Sequence, residues 1–156
     1  MVEIVPAIMP RSFGELREYA ERVSGLVSAI QIDVMDGIFV PEKSWPYTEG
    51  DYEGFLRLVH GAENLAEWAE TDFEADLMIQ NPETEVANWI GVGARRIIVH
   101  SESTHVLGDI LSRFRDHSHE RHEGDYFDKP LEIGVAVNID TPNEAISHWM
   151  RDIDFV

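Results

Sequence analysis

An apolar run early in the chain, residues 29–35, restricts the fold more than any other feature, and it stops at the turn signal Asp36-Gly37. Along a strand the side chains alternate, so Gln31, Asp33 and Met35 share one face while Ile30, Ile32 and Val34 share the other. A largely apolar pattern on both faces is typical of a parallel sheet covered by helices. A carboxylate in such a strand is costly unless it is paired, hydrogen-bonded or ligated, which makes Asp33 the first candidate functional residue.

Strand and helix patterns alternate along the whole chain. Strands are predicted at 3–8, 29–35, 73–79, 96–100 and 131–138, with a sixth beginning at 154–156. Helices are predicted between them at 12–24, 51–70 with a division at Gly61, 82–93, 106–115 and 142–151, and capping boxes begin the first and the last. This alternation predicts an α/β fold with a parallel sheet.

Two arrangements of such a sheet compete, an open doubly wound sheet and a (β/α) barrel. No Gly-x-Gly-x-x-Gly follows the first strand, which favours the barrel. A closed eight-stranded barrel takes about 250 residues. We therefore expect a single domain over residues 1–156 that forms an incomplete TIM-type barrel of five to six βα units.

The charge balance is strongly acidic, with 30 Asp and Glu against 12 Lys and Arg, a formal net charge of −18. Such a surface repels phosphate backbones and anionic lipids, so nucleic acid and membrane partners are not expected. No cysteine is present, which excludes disulfides and thiolate chemistry and is compatible with the cytoplasm. Two interpretations of the charge stay open: a merely soluble acidic surface, or adaptation to high salt.

Several motifs resemble ribulose-phosphate 3-epimerase, in order and over the whole chain. The most specific is Asp33-Val-Met-Asp-Gly-Ile-Phe-Val-Pro41. The other matching segments are 5–9, 76–79, Asn81-Pro82, 93–100, 134–138 and Thr141-Pro142. The resemblance implies a (β/α)₈ barrel that interconverts ribulose 5-phosphate and xylulose 5-phosphate, with a sugar phosphate as ligand. It also implies two aspartates that exchange the C3 proton on opposite sides of the substrate, and a divalent metal held by both aspartates and two histidines.

Carried onto this sequence, the resemblance makes Asp33 the catalytic aspartate of the second strand, and a structural carboxylate that anchors nearby loop amides is the alternative. Met35 and Met78 match methionines that line the substrate, and Ala7 stands where the family usually has a serine. His100 matches a position near the site, although a core histidine bonded to backbone is an equal alternative. The second aspartate and the glycine-rich phosphate loops belong to later strands of the family and have no match in these residues.

The two metal-binding histidines of the family are replaced by Gln31 and Asp76. Gln31, Asp33 and Asp76 are expected on one inner face, at the carboxyl ends of adjacent strands. Two carboxylates and an amide oxygen suit a hard cation, Mg²⁺, Mn²⁺ or Ca²⁺, better than Zn²⁺. The alternative is that no metal binds and these polar residues line a solvated opening.

Two further patterns are interpreted without a functional role. His117-x-His119-x-x-His122 lies in a charged segment and is predicted to be a solvated loop rather than a metal cluster. The four tryptophans are interpreted mainly as packing residues: Trp45, Trp68, Trp89 and Trp149.

Two functions of different classes remain. The first is an epimerase-like enzyme whose missing groups come from another chain or from sequence outside these residues. The second is a non-catalytic relative that assembles with itself or binds a ligand or protein. Unpaired sheet edges and an open inner face predict a homo-oligomer in either case.

Overall fold

A computed structural model describes residues 3–61, 71–119 and 130–156 of the chain. Its strands are β1 Ala7–Ile8, β2 Ala29–Met35, β3 Asp72–Met78, β4 Ala94–His100 and β5 Glu132–Ala136. Its α-helices are α1 Phe13–Val23, α2 Tyr52–His60, α3 Glu85–Gly91 and α4 Leu107–His119. Two 3₁₀ segments cover Ser101–Ser103 and Asn143–Trp149. Within these ranges no helix is both long and apolar enough to cross a bilayer.

The five strands form one parallel sheet in the order β1-β2-β3-β4-β5. Each strand therefore lies beside the next one in the chain, as in a barrel, whereas a doubly wound sheet reverses its strand order at a switch point. A parallel bridge between Gly134 and Phe155 continues the series beyond β5. The predicted fold class, an incomplete TIM-type (β/α) barrel, is confirmed.

The helix-covered face of the sheet forms the hydrophobic core. It contains side chains that are fully buried: Ile30, Ile32, Val34, Ala75, Leu77, Ile97 and Val99. An aromatic cluster extends this core, with the Trp45 ring centroid 5.4 Å from Phe55 and 5.8 Å from Trp89. Trp45 and Trp89 are packing residues as predicted, Trp149 packs partly buried against the same core, and Trp68 lies outside the described residues.

The opposite face, here called the polar face, carries Gln31, Asp33, Glu74, Asp76, Arg96 and Glu132. At its amino end the guanidinium of Arg96 bonds to Glu132 at 2.8 Å, Glu3 at 2.8 Å and Glu74 at 3.2 Å. Residues of barrel interiors are usually branched and apolar. The charged pairs here are tolerable because Arg96 supplies a donor to each carboxylate.

Three elements depart clearly from the prediction in length or type. β1 has two residues rather than six, because Pro6 has no N–H for a ladder and contributes only its carbonyl, which accepts from Gln31. The last helix is 3₁₀, and Thr141 does not cap it because its side chain bonds to Glu102 instead. α4 continues to His119, so the predicted loop at 117–119 is wrong; His122 lies outside the described residues.

Candidate active site at the carboxyl ends of the strands

The sheet register places the candidate residues side by side. Asp33 of β2 is paired with Asp76 of β3, and Met35 with Met78 one step closer to the carboxyl edge. Both aspartates are partly exposed on the polar face, while Met35 is buried. Two carboxylates therefore lie side by side on the polar face, with two polarisable, apolar side chains next to them at the carboxyl ends of the strands.

Asp33 has a raised pKa, chiefly because burial disfavours its charged form. A hydrogen bond from Gln31 Nε2 to Asp33 Oδ1, 2.8 Å long, opposes the shift, and the nearby charge of Asp76 adds to it. A carboxylate with a raised pKa is a better base near neutral pH than an ordinary aspartate. The arrangement suits proton abstraction from a carbon acid.

Asp36 is a site residue that the sequence analysis missed. Its carboxylate accepts the backbone N–H groups of Ile38 at 2.8 Å, Phe39 at 3.0 Å and Gln80 at 2.8 Å. Asp36 thus holds the loop after β2 against the loop after β3. The signal was present in the sequence, because Asp before Gly commonly bonds to amides two and three residues on.

Ser44 fixes the other end of the same loop. Its hydroxyl donates to the Asp33 carbonyl at 2.6 Å and accepts from the Met35 N–H at 2.9 Å. The backbone of Ser44 also donates to the Met35 carbonyl. The loop 36–44 is therefore attached at both ends to the carboxyl end of β2.

His100 lies at the carboxyl end of β4 between two carboxylates. Its Nε2 is 3.4 Å from Asp76 Oδ1, and its Nδ1 is 4.0 Å from Glu102 Oε2. The Phe39 ring lies against the imidazole with a centroid distance of 5.2 Å. Burial works against the charged form of Glu102, but hydrogen bonds from Thr141 and the Asn138 backbone outweigh it and lower the pKa of this carboxyl.

The remaining candidates are less enclosed. Ala7 pairs in register with Gln31 and is exposed at the edge of the sheet, so it leaves space rather than a polar group there. Gln31 points its amide nitrogen, not its oxygen, at Asp33. Roles for Ala7 and Gln31 in binding substrate or metal stay predictions.

The described residues do not fit the four-ligand metal site that the resemblance implies. Across residues 3–61, 71–119 and 130–156, no group of three or more His, Cys, Asp or Glu side chains is arranged to hold a metal. Asp33 and Asp76 offer two neighbouring carboxylates, to which Mg²⁺ would add waters or substrate oxygens. The hard-cation site at Gln31, Asp33 and Asp76 stays a prediction.

Comparison with known proteins supplies the family. The model of the "Ribulose-phosphate 3 epimerase family" matches residues 3–156. Curated ribulose-phosphate 3-epimerases from Bacillus subtilis, Chlamydia muridarum and Schizosaccharomyces pombe are 26%, 30% and 27% identical, and the alignments cover 100%, 99% and 99% of this chain. They cover 61%, 58% and 59% of those relatives, so the chain spans about three fifths of their length. By its sequence and its sheet, the chain belongs to the ribulose-phosphate 3-epimerase family.

Proposed function

We propose that this chain carries the proton-abstracting part of a ribulose-phosphate 3-epimerase-like site, with Asp33 as the base. The observation that carries the proposal is the position of Asp33: partly buried on the polar face, with a raised pKa and beside Asp76. Nearby groups fit this role, because the partly exposed Met78 offers the reacting carbon an apolar surface and the buried Met35 lies beside it.

The chemistry follows from this position. The C3–H bond of ribulose 5-phosphate breaks, its proton passes to the Asp33 carboxylate, and the electron pair forms the C2–C3 double bond of an enediolate with negative charge on the C2 oxygen. Asp76 lies on the neighbouring strand, on the same side of the opening as Asp33. It cannot return the proton to the opposite face of C3.

Inversion at C3 needs an acid on that opposite face. The resemblance puts this acid and the phosphate-binding groups on later strands that have no match in these residues, so we propose that they come from chain outside these residues or from a second molecule. With the described residues alone, we expect exchange of the C3 proton with solvent and little or no epimerisation.

Hydrogen exchange in heavy water tests the proposal directly. Ribulose 5-phosphate is incubated with the protein in D₂O, with and without Mg²⁺ or Mn²⁺, and deuterium at C3 and formation of xylulose 5-phosphate are followed separately by NMR. Asp33→Asn should lower C3 exchange by roughly 100-fold or more. Asp109→Asn, which changes an exposed aspartate on α4, should leave it unchanged.

The outcomes separate the functions. Exchange that is equal in the Asp33→Asn variant and the unaltered protein would refute Asp33 as the base. Inversion along with exchange would place a second acid within these 156 residues. A cation that increases exchange through Asp33 and Asp76 would support the predicted metal site.

A second candidate, a non-catalytic binding module, is favoured by the charged network on the polar face. Arg96 is already bonded to three carboxylates. The charged groups at this end of the face therefore suit packing or ligand binding rather than proton transfer. Binding of ribulose 5-phosphate without C3 exchange, seen as shifts of NMR signals from β2 to β4, would support this candidate over the enzyme.

A further inference from the structure

We propose that His100 is a positioning residue: its Nε2–H donates to Asp76 and holds this carboxylate beside Asp33, while the Phe39 ring packs against the imidazole. The contact is a property of the fold, and its consequence for catalysis rests on the function proposed above.

The first argument is the need of Asp76 for a donor. Asp76 Oδ1 is buried and, among the described residues, has no hydrogen-bond partner within normal geometry. It also lies beside the like charge of Asp33. A buried carboxylate oxygen without a donor is expensive, and the nearest basic nitrogen is His100 Nε2 at 3.4 Å.

The distance of 3.4 Å exceeds the 2.7–3.2 Å typical of an N–H···O bond. Hydrogen bonds at active sites are often long without substrate and shorten when it binds. A rotation of either side chain that points Nε2–H at Oδ1 would complete the bond.

The second argument is that the fold places the neighbours of the ring. Phe39, on the loop after β2, lies against the imidazole, and Glu102 Oε2 lies 4.0 Å from its Nδ1, beyond hydrogen-bond distance. Glu102 is itself fixed, because its Oε1 accepts the Asn138 N–H after β5 at 2.8 Å. Packing from the loop after β2 thus supports the imidazole that faces Asp76 on β3, and the fixed Glu102 lies near its other nitrogen.

The wild-type protein provides the first test, by nitrogen-15 NMR of the imidazole at one near-neutral pH. We expect a protonated Nε2 at His100. An unprotonated Nε2, with the proton on Nδ1 alone, would overturn the proposal without any variant having to fold.

Substitutions provide the second test. The amide nitrogen of glutamine can take the place of Nε2, whereas that of asparagine takes the place of Nδ1. We therefore expect the carbon-13 signal of the Asp76 carboxyl to shift in His100→Asn and to stay close to wild type in His100→Gln. The exposed His105, changed to Gln, is the matched control and should not move the signal. Equal spectra in all three variants, or a better match from Asn than from Gln, would overturn the proposal.

Activity distinguishes this inference from the proposed function. If C3 exchange is observed, His100→Asn should lower its rate by about tenfold and His100→Gln by less, without a matching change in KM. If the Asp76 signal responds as expected but no exchange occurs, His100 positions Asp76 and the catalytic proposal fails. If C3 exchange occurs at an equal rate in His100→Asn and His100→Gln, the positioning role has no catalytic consequence. The proposal that His100 is part of the catalytic site is then overturned.

Discussion

At the scale of single residues, two aspartates three positions apart play opposite parts. Asp36 is buried and accepts three backbone N–H groups, while the side chain of Asp33 accepts one hydrogen bond, from Gln31. From sequence alone, an anchoring carboxylate is the alternative to a functional role for Asp33. In the structure Asp36 has that anchoring role, while Asp33 has a pKa raised above its ordinary value and a partly exposed side chain.

The two aspartates should differ in their effect on stability. In Asp36→Asn one oxygen becomes an NH₂ group, so at least one of the three backbone N–H groups loses its acceptor, and we expect unfolding free energy to fall by about 1–3 kcal/mol. In Asp33→Asn the Gln31 bond can persist and repulsion from Asp76 disappears, so stability should be equal or higher. Urea unfolding of both variants at pH 7 checks this; a larger loss in Asp33→Asn would contradict it.

The pH dependence of Asp33 has a definite sign. Its folded pKa lies above the ordinary value of 3.8, so its stabilising contribution is complete below that pH and is lost as pH rises through the folded pKa. Any stability advantage of Asp33→Asn should therefore be largest at neutral pH and vanish toward pH 3.8. An advantage that grows on acidification would contradict the raised pKa.

At the scale of elements, apolar runs were enough to locate β2 to β5 within about two residues at nearly every end, because both faces or one whole face of each strand is buried. The short β1 and the 3₁₀ segment at 143–149 were not predictable in the same way. Their form depends on contacts distant in sequence, such as the Thr141 bond to Glu102. The same holds for the site: the position of Asp33 and Asp76 on one face of adjacent strands could be predicted, but the packing of Phe39 on His100 could not.

Helices α2 and α3 are joined through a buried carboxylate. Glu85 is buried at the start of α3 and accepts from the Tyr52 hydroxyl at 2.5 Å. We expect Tyr52→Phe to lower the unfolding free energy by about 1–2 kcal/mol, because Glu85 loses a donor in a buried site. Tyr19→Phe is the matched control, since its hydroxyl bonds to Glu15 on the surface helix α1 and should cost less.

Titration gives an independent check on Tyr52. Burial and the bond to Glu85 raise its pKa to about 12. Its stabilising contribution should therefore persist at pH 10 and disappear as pH rises through about 12. Phenolate absorbance in the ultraviolet, compared between the unaltered protein and Tyr52→Phe, measures this. If the absorbance that Tyr52→Phe lacks appears near pH 10 in the unaltered protein, the raised pKa is contradicted.

Strands β3, β4 and β5 are joined by Arg96 on the polar face. Burial raises the pKa of Glu74, and the bonds from Arg96 oppose that rise. Arg96→Met would leave a buried carboxylate unpaired, and we expect a loss of about 2–4 kcal/mol of unfolding free energy in urea. Arg17→Met, at an exposed pair with Glu21 on α1, should change it by about 0.5 kcal/mol or less. Equal losses would show that the Arg96 network contributes no more than a surface pair.

At the scale of the whole molecule, charge and the open polar face act against each other. The partly exposed face favours association of copies, as the predicted homo-oligomer requires. However, the chain carries a formal charge of −18, and Glu3 and Glu132 make the face itself acidic. Two such faces repel each other at low ionic strength, because the Debye length is about 30 Å at 0.01 M salt. They repel much less in 1 M salt, where the Debye length is about 3 Å.

We therefore expect both stability and association to rise with salt. Unfolding free energy and light-scattering mass should increase between about 0.01 and 1 M NaCl, because screening removes repulsion within and between molecules. A variant with three exposed loop acids neutralised, Glu42→Gln, Glu49→Gln and Asp140→Asn, should respond less to salt. Stability that does not change with salt would refute the high-salt interpretation. A constant mass of 17.8 kDa up to 1 M salt would refute the homo-oligomer. The stability and mass results are independent, because stability measures repulsion within a molecule and mass measures repulsion between molecules.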